Sequence, residues 1–198
     1  MCMKKNQGYT LIELIIVLAI IAILSVMSFV TIGVIKQAQY NAAASSLSNQ
    51  MGSLLVKTRA LSEAKDEPLC MLIHRYSKKV TLKDGKVIKK GSYALILGYD
   101  NGSGFVVKNT GNAFSEDDLD IVTEDILTNI ITIKYTSKDA TPCGITGLDD
   151  TDNMIIEFNK ATGGVRYGAG DYEIIYENGN RTVAVVKLDA ATGNHYLK

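Results

Sequence analysis

Glu13 is the side chain that most needs a chemical account in this 198-residue chain. It follows Gly8-Tyr9-Thr10-Leu11-Ile12 and opens directly onto Leu14-Ile15-Ile16-Val17-Leu18-Ala19-Ile20-Ile21-Ala22-Ile23-Leu24. An ionised acid at the edge of a membrane helix is costly and calls for a partner. One partner is an α-amino group. If the chain is cut between Gly8 and Tyr9, the new amine on Tyr9 lies at the depth of a neighbouring subunit's Glu13, and charge pairing in low dielectric favours side-by-side assembly. The other reading leaves Glu13 at headgroup level as an end-of-helix charge with no special partner.

The remaining reactive residue types do not form a catalytic constellation. His74 and His195 are the only histidines, and neither stands in a metal-ligand spacing or a nucleophile motif. His74 follows an apolar strand and reads as a surface residue at the strand end. No glycine loop is built to cradle phosphate. The expectation is a protein that is not an enzyme and has no cofactor and no metal. Asp149-Asp150-Thr151-Asp152-Asn153 offers hard oxygen ligands. It lacks the glycine and distal glutamate of a calcium loop and reads as a solvated acidic turn. Cys70 and Cys143 form an even pair in a segment read as exported, so a disulfide is permitted. Cys70 lies within Leu69-Cys70-Met71-Leu72-Ile73 and reads equally well as a buried thiol.

A basic run is the other concentrated feature. Arg75, Lys78, Lys79, Lys83, Lys86, Lys89 and Lys90 are interrupted by one acid, Asp84. Lysines on an exposed hairpin protect it from edge-to-edge pairing, which is the leading reading. A second is docking onto an acidic neighbour, such as another subunit's Glu116-Asp117-Asp118-Asp120-Glu124-Asp125 run. The third is a polyanion such as DNA, which is not favoured: one arginine and one adjacent aromatic, Tyr76, make a poor stacking surface for nucleic acid.

The elements that position these groups follow from hydropathy and turn signals. Leu14 to Ile35 carries no charge, and at about 1.5 Å per residue it extends roughly 33 Å, enough for a bilayer core. Lys4 and Lys5 before it place the N-terminus in the cytoplasm and the rest outside. Beyond Ile35, Tyr40, Ala44, Leu47, Met51, Leu54 and Leu61 recur at helical spacing, with Thr58 filling the gap. Glu67-Pro68 ends the helix. Gly33 and Gly52 are its weak points. The expected divisions are a leader at 1–8, a membrane or filament-core helix at 9–35, its amphipathic continuation at 36–67 and a β-rich domain at 68–198.

Strands are expected at Leu69–Tyr76, Ile130–Thr136 and Met154–Asn159. Hairpins are expected across Asp84-Gly85, Asn101-Gly102 and Asn178-Gly179, with a short edge at His195–Lys198. Asn112–Thr128 reads as loop and short helix, and Asp139–Asn153 as loop. A long N-terminal helix laid on an antiparallel sheet is an α+β architecture. The full chain has zero formal net charge, so no overall polarity directs it to nucleic acid.

Gly8-Tyr9-Thr10-Leu11-Ile12-Glu13-Leu14 resembles the prepilin processing site of type IV pilins and type II secretion pseudopilins. The likeness runs to about Ile35, and Tyr9 departs from the phenylalanine usual after the cut glycine. An ordinary secretory signal fits poorly, since its apolar region is only about 7–15 residues long. The resemblance implies cleavage after Gly8 by a prepilin peptidase, methylation of the Tyr9 amine and a docking role for Glu13. It also implies partners: other pilin or pseudopilin subunits, the peptidase, a filament assembly platform and the membrane. The implied location is the cytoplasmic membrane, single-pass with the N-terminus inside, and then a cell-surface or cell-envelope filament. Lys57-Thr58-Arg59-Ala60-Leu61-Ser62-Glu63-Ala64, together with Ile155–Phe158 before Gly163-Gly164 and Val183–Val186 before Gly193, resembles the H-type minor pseudopilins and implies a low-copy subunit. The alternative is a pilin-like binding module for DNA uptake or adhesion.

Overall fold

The computed structural model describes residues 10–64, 69–82, 85, 87–108, 111–115, 130–137, 153–176 and 181–198, without the side chains of 26–32. One helix, α1, runs from Leu11 to Ala64. The chain divides into two compact units, Met1–Gln39 and Tyr40–Lys198. In the first unit, the large apolar side chains described from Leu11 to Leu24 are all more than half exposed. Apolar residues around the whole circumference mark a helix that must be buried by something else. Among the described residues no helix is long and apolar enough to cross a membrane. The expected span runs through residues 26–32, whose side chains lie outside the description.

The second unit holds eleven strands. They are β1 (Leu69–Arg75), β2 (Val80–Thr81), β3 (Val87–Ile88), β4 (Tyr93–Asp100), β5 (Phe105–Val107) and β6 (Ile131–Ser137). Then come β7 (Asn153–Phe158), β8 (Val165–Tyr167), β9 (Gly170–Tyr176), β10 (Thr182–Leu188) and β11 (His195–Leu197). Five form a sheet in the order β5-β4-β1-β7-β8, four a second in the order β11-β10-β9-β6, and β2 and β3 pair alone. Every described pairing is antiparallel. The expected α+β class holds.

Two cores explain the strand sequences. One joins Ala44, Leu47, Met51 and Leu55 of α1 to residues of both sheets, including Met71, Ile73, Phe158, Tyr172 and Val186. The other lies on the opposite face of the five-stranded sheet, where Cys70, Leu72 and Ile96 meet Val80, Leu82 and Ile88 of the β2–β3 hairpin. Strand β1 alternates between the two cores. That is why it reads as an unbroken apolar run: a strand covered on both faces has no polar side. Tyr93 of β4 joins the sheets, its hydroxyl accepting a 3.0 Å hydrogen bond from the backbone N–H of Ile133 on β6. Since β6 is at the end of its sheet, that bond occupies a donor the ladder leaves open.

Several expectations need correction. The buried stripe of α1 is Ala44, Leu47, Ser48, Met51, Leu55, Thr58 and Ser62, with Leu54 and Leu61 only partly covered. Small residues sit where the helix comes closest to the β domain. A Cβ on Gly52 would lie 2.9 Å from His195 Nε2, so Gly52 is a packing site and not merely a weak point. His74 is buried, not at the surface. It packs edge-on against Tyr76 and Phe114, and its Nδ1 lies 2.7 Å from Asn153 Oδ1. The strands on either side of Asp84-Gly85, Asn101-Gly102 and Asn178-Gly179 pair antiparallel as expected, although Asp84, Asn178 and Gly179 lie outside the described residues, and β11 takes the expected edge. Strand β8 was not expected. Most of Asn112–Thr128 and of Asp139–Asn153 lies outside the described residues.

Candidate functional site

Glu13 closes the start of α1. Its Oε2 accepts hydrogen bonds from the Thr10 backbone N–H at 2.8 Å and from the Thr10 hydroxyl at 3.0 Å, and the Glu13 N–H points to Thr10 Oγ1 at 3.4 Å. This is a capping box, in which a Thr before the first helical residue and a Glu three positions later satisfy each other's open backbone groups. The pattern Thr-x-x-Glu was visible in the sequence. The apolar setting of the carboxylate points to its charge, whereas the Thr-x-x-Glu spacing points to the local bond. Gly8 and Tyr9 lie outside the described residues.

The far end of α1 meets a pair of matching turns. Asn159–Gly164 joins β7 to β8, and Asp189–Asn194 joins β10 to β11. In each, a side-chain oxygen of the first residue caps the turn: Asn159 Oδ1 accepts from Ala161 N–H at 2.8 Å, and Asp189 Oδ1 accepts from Thr192 N–H at 2.9 Å. Each then bends through a glycine in the left-handed region, Gly163 at φ 68° and Gly193 at φ 67°. The turns touch, Val165 N–H donating to Ala190 O at 2.8 Å. Arg59 donates to Glu63 at 3.0 Å and to Asn194 Oδ1 at 2.9 Å, so the helix end is tied to the second turn. The three segments that carried the H-type resemblance therefore meet at one place.

Beside this junction a shallow groove runs between Val56, Arg59 and Glu63 of α1 and His195 and Tyr196 of β11. Burial holds the His195 pKa below its ordinary value, favouring the neutral ring. On β7, burial raises the pKa of Glu157, opposed by Arg166 at 2.8 Å. The arginine remains largely exposed, so the pair is a buried carboxylate answered from the rim and not a desolvated reactive centre.

The other sequence-flagged residues are scattered. Lys79, Lys89 and Lys90 are exposed on the β2–β3 hairpin, while Lys83 and Lys86 lie outside the described residues. Cys70 is buried in β1, opposite Gly98 and Glu157. Cys143 lies outside the described residues, as do the acidic run from Glu116 to Asp125 and Asp149–Asp152. Among the described residues no group of His, Cys, Asp or Glu is placed to hold a metal ion.

At the N-terminus, residues 3–29 match the family described as the prokaryotic N-terminal methylation motif. The chain carries that methylation motif. It is the signature of type IV pilins and pseudopilins and supports a processed, pilin-like subunit. The motif implies prepilin peptidase and other pilin subunits as partners, and it points to a membrane-anchored structural subunit. The matched region ends at residue 29 and does not extend to the segments of the H-type resemblance. No curated protein and no solved structure matches the chain.

Proposed function

We propose that this chain is a structural subunit, of the minor pilin or pseudopilin kind, in a type IV pilus or type II secretion-like filament. Prepilin peptidase cuts it after Gly8 and methylates the amine of Tyr9. The methylation motif over residues 3–29 carries this reading. The bare apolar helix supports it: the large apolar side chains described from Leu11 to Leu24 are all more than half exposed, as suits a segment destined first for lipid and then for a bundle of like helices. In this reading 9–35 anchors the subunit, 36–67 carries the helix onto the β domain, and 68–198 faces outward. Glu13 docks the neighbouring subunit's amine. Intact mass of the chain purified from its membrane tests the reading. The expected species begins at methylated Tyr9, and a mature chain beginning elsewhere removes its basis.

The hairpin lysines are assigned to surface protection. Val80, Leu82 and Ile88 are buried as a thin cover on the second core, and lysines keep such a cover from pairing with another molecule. Changing Lys79, Lys89 and Lys90 together to Gln should raise self-association at low salt, read by sedimentation. Duplex-DNA binding should stay negligible in both forms. A polyanion site would instead show wild-type binding whose log K falls with log salt by about 0.9 per phosphate contact, flattened in the variant.

A further inference from the structure

We propose that the outer edge of β11 is a strand-addition site, which takes one extended, uncharged segment of a different pilin-like subunit as the next strand of the four-stranded sheet. This assignment rests on reading the chain as a filament subunit.

The backbone register leaves that edge open. Val185 and Lys198 exchange N–H···O bonds at 2.9 Å, and Asp189 N–H donates to Asn194 O at 2.9 Å. Antiparallel pairs alternate between bonded and non-bonded, so His195 and Leu197, opposite Leu188 and Val186, turn their N–H and C=O groups away from β10. Neither residue has a further hydrogen bond among the described residues. The other three edges of the two larger sheets are each engaged. Ala113 bridges to Val106 of β5, the Tyr93 hydroxyl takes the Ile133 N–H of β6, and Val165 of β8 donates to Ala190 O. Lysines flank the β2–β3 hairpin, whereas β11 carries no charged residue. Covering and charging edges is how proteins prevent pairing, so an unguarded edge is a template for it.

Apolar surface gathers at the same place. In the unit Tyr40–Lys198 the large apolar side chains described as exposed are Val56, Val87, Tyr196 and Leu197. All but Val87 lie on or beside this edge, with Val56 and Tyr196 lining the groove between α1 and β11. The two charged side chains of the groove, Arg59 and Glu63, already pair at 3.0 Å.

These features choose the occupant. Donors and acceptors alternating along an edge are matched by an extended backbone. Apolar walls without an unpaired charge call for uncharged, apolar side chains at alternate positions of that backbone. β11 runs back along α1, since Asn194 meets Arg59 while His195 meets Gly52. A two-fold pairing of β11 with a second β11 is antiparallel and would set the two α1 helices in opposite directions. Chains anchored in one membrane point the same way. With the other described edges of this chain engaged, the added strand is assigned to a subunit of another kind. The contact is then heterologous, the type that open filaments use.

The test uses the full chain in filament-forming cells, comparing sheared-filament content with the processed membrane pool. Leu197→Pro removes one outward N–H where an edge strand tolerates proline, and Leu197→Lys adds the missing guard. Leu197→Pro should lower incorporation about fivefold, the order of one net hydrogen bond, and Leu197→Lys should lower it at least as much. Val87→Lys, at an exposed apolar position away from this edge, should incorporate as wild type. Melting of the purified chains in detergent should be unchanged, and where Leu197→Pro melts lower, Leu197→Lys carries the comparison. In intact filaments the His195 and Leu197 amides should exchange more slowly than in the detergent-solubilised subunit, by about tenfold or more, because a ladder bond must open first. Wild-type incorporation of Leu197→Lys, or equal exchange in the two states, overturns strand addition and leaves the filament reading standing. A wild-type dimer in detergent that Leu197→Lys dissociates makes a second copy the occupant and overturns the proposal. Absence of the wild-type chain from filaments overturns the filament reading itself, and strand addition with it.

Discussion

A Gly8→Val chain is expected to remain uncut, with its leader attached, and to be absent from filaments. The effect should be close to all-or-none because three consequences share one cause. The peptidase that the methylation motif implies acts at a residue without a side chain, and valine adds a branched three-carbon side chain beside the bond to be broken. Without the cut, Tyr9 has no free amine, so the counter-charge proposed for Glu13 never forms. Lys4 and Lys5 also stay on the chain and hold its N-terminus at the cytoplasmic face. Intact mass and N-terminal sequencing read the first consequence, and the sheared-filament fraction reads the others. Wild-type amounts of a chain starting at Tyr9 would show that the side chain at position 8 does not govern cleavage.

The parts of the molecule set by local chemistry were legible from residue order. The unbroken apolar run after Glu13, the end of α1 at Ala64 ahead of Pro68 and the glycine turns at Gly102 and Gly193 each follow from one residue type and its neighbours. So does the Thr10–Glu13 box, although there two meanings shared one residue. A carboxylate beside an apolar run suggests a distant charge, while the same carboxylate three places after a threonine suggests a local bond. The structure shows the second.

What escaped depends on contacts far apart in sequence. The helix stripe was drawn through Leu54 and Leu61, the larger side chains. Beside the expected Thr58, the buried face instead passes through Ser48, Gly52 and Ser62, since small residues let the helix approach β11 and the turns. Thr58 and Ser62 tolerate burial because their hydroxyls find carbonyls, at Leu54 O and Phe158 O. His74 is buried for a similar reason. The β2–β3 hairpin and Phe114 cover that face of β1, and no local pattern around His74 announces a cover built from residues so far along the chain. The division into two sheets was also hidden, because β7 and β10 have like sequences and like turns yet lie in different sheets.

Those like turns give the second large effect. Gly193→Val should destabilise the β domain by about 3 kcal/mol or more, whereas Gly85→Val should cost about 1–2 kcal/mol, the penalty for a side chain in the left-handed region. Both glycines have positive φ, 67° and 85°. Their surroundings differ. A Cβ on Gly85 meets nothing within 4 Å, whereas one on Gly193 collides with the Gly163 carbonyl oxygen and lies 3.2 Å from Phe158 Cε1. Backbone cannot swing aside as a side-chain end can, so the two turns must part. Parting them breaks the Val165–Ala190 hydrogen bond, draws Asn194 from Arg59 and opens the core beside Phe158, which is 1% exposed. Thermal unfolding of the full chain in detergent should show Gly193→Val melting about 6–12 °C lower, at roughly 2–4 °C per kcal/mol for a domain of this size. A drop equal to that of Gly85→Val would mean that the turns separate freely, and that the end of α1 is held by its apolar face alone.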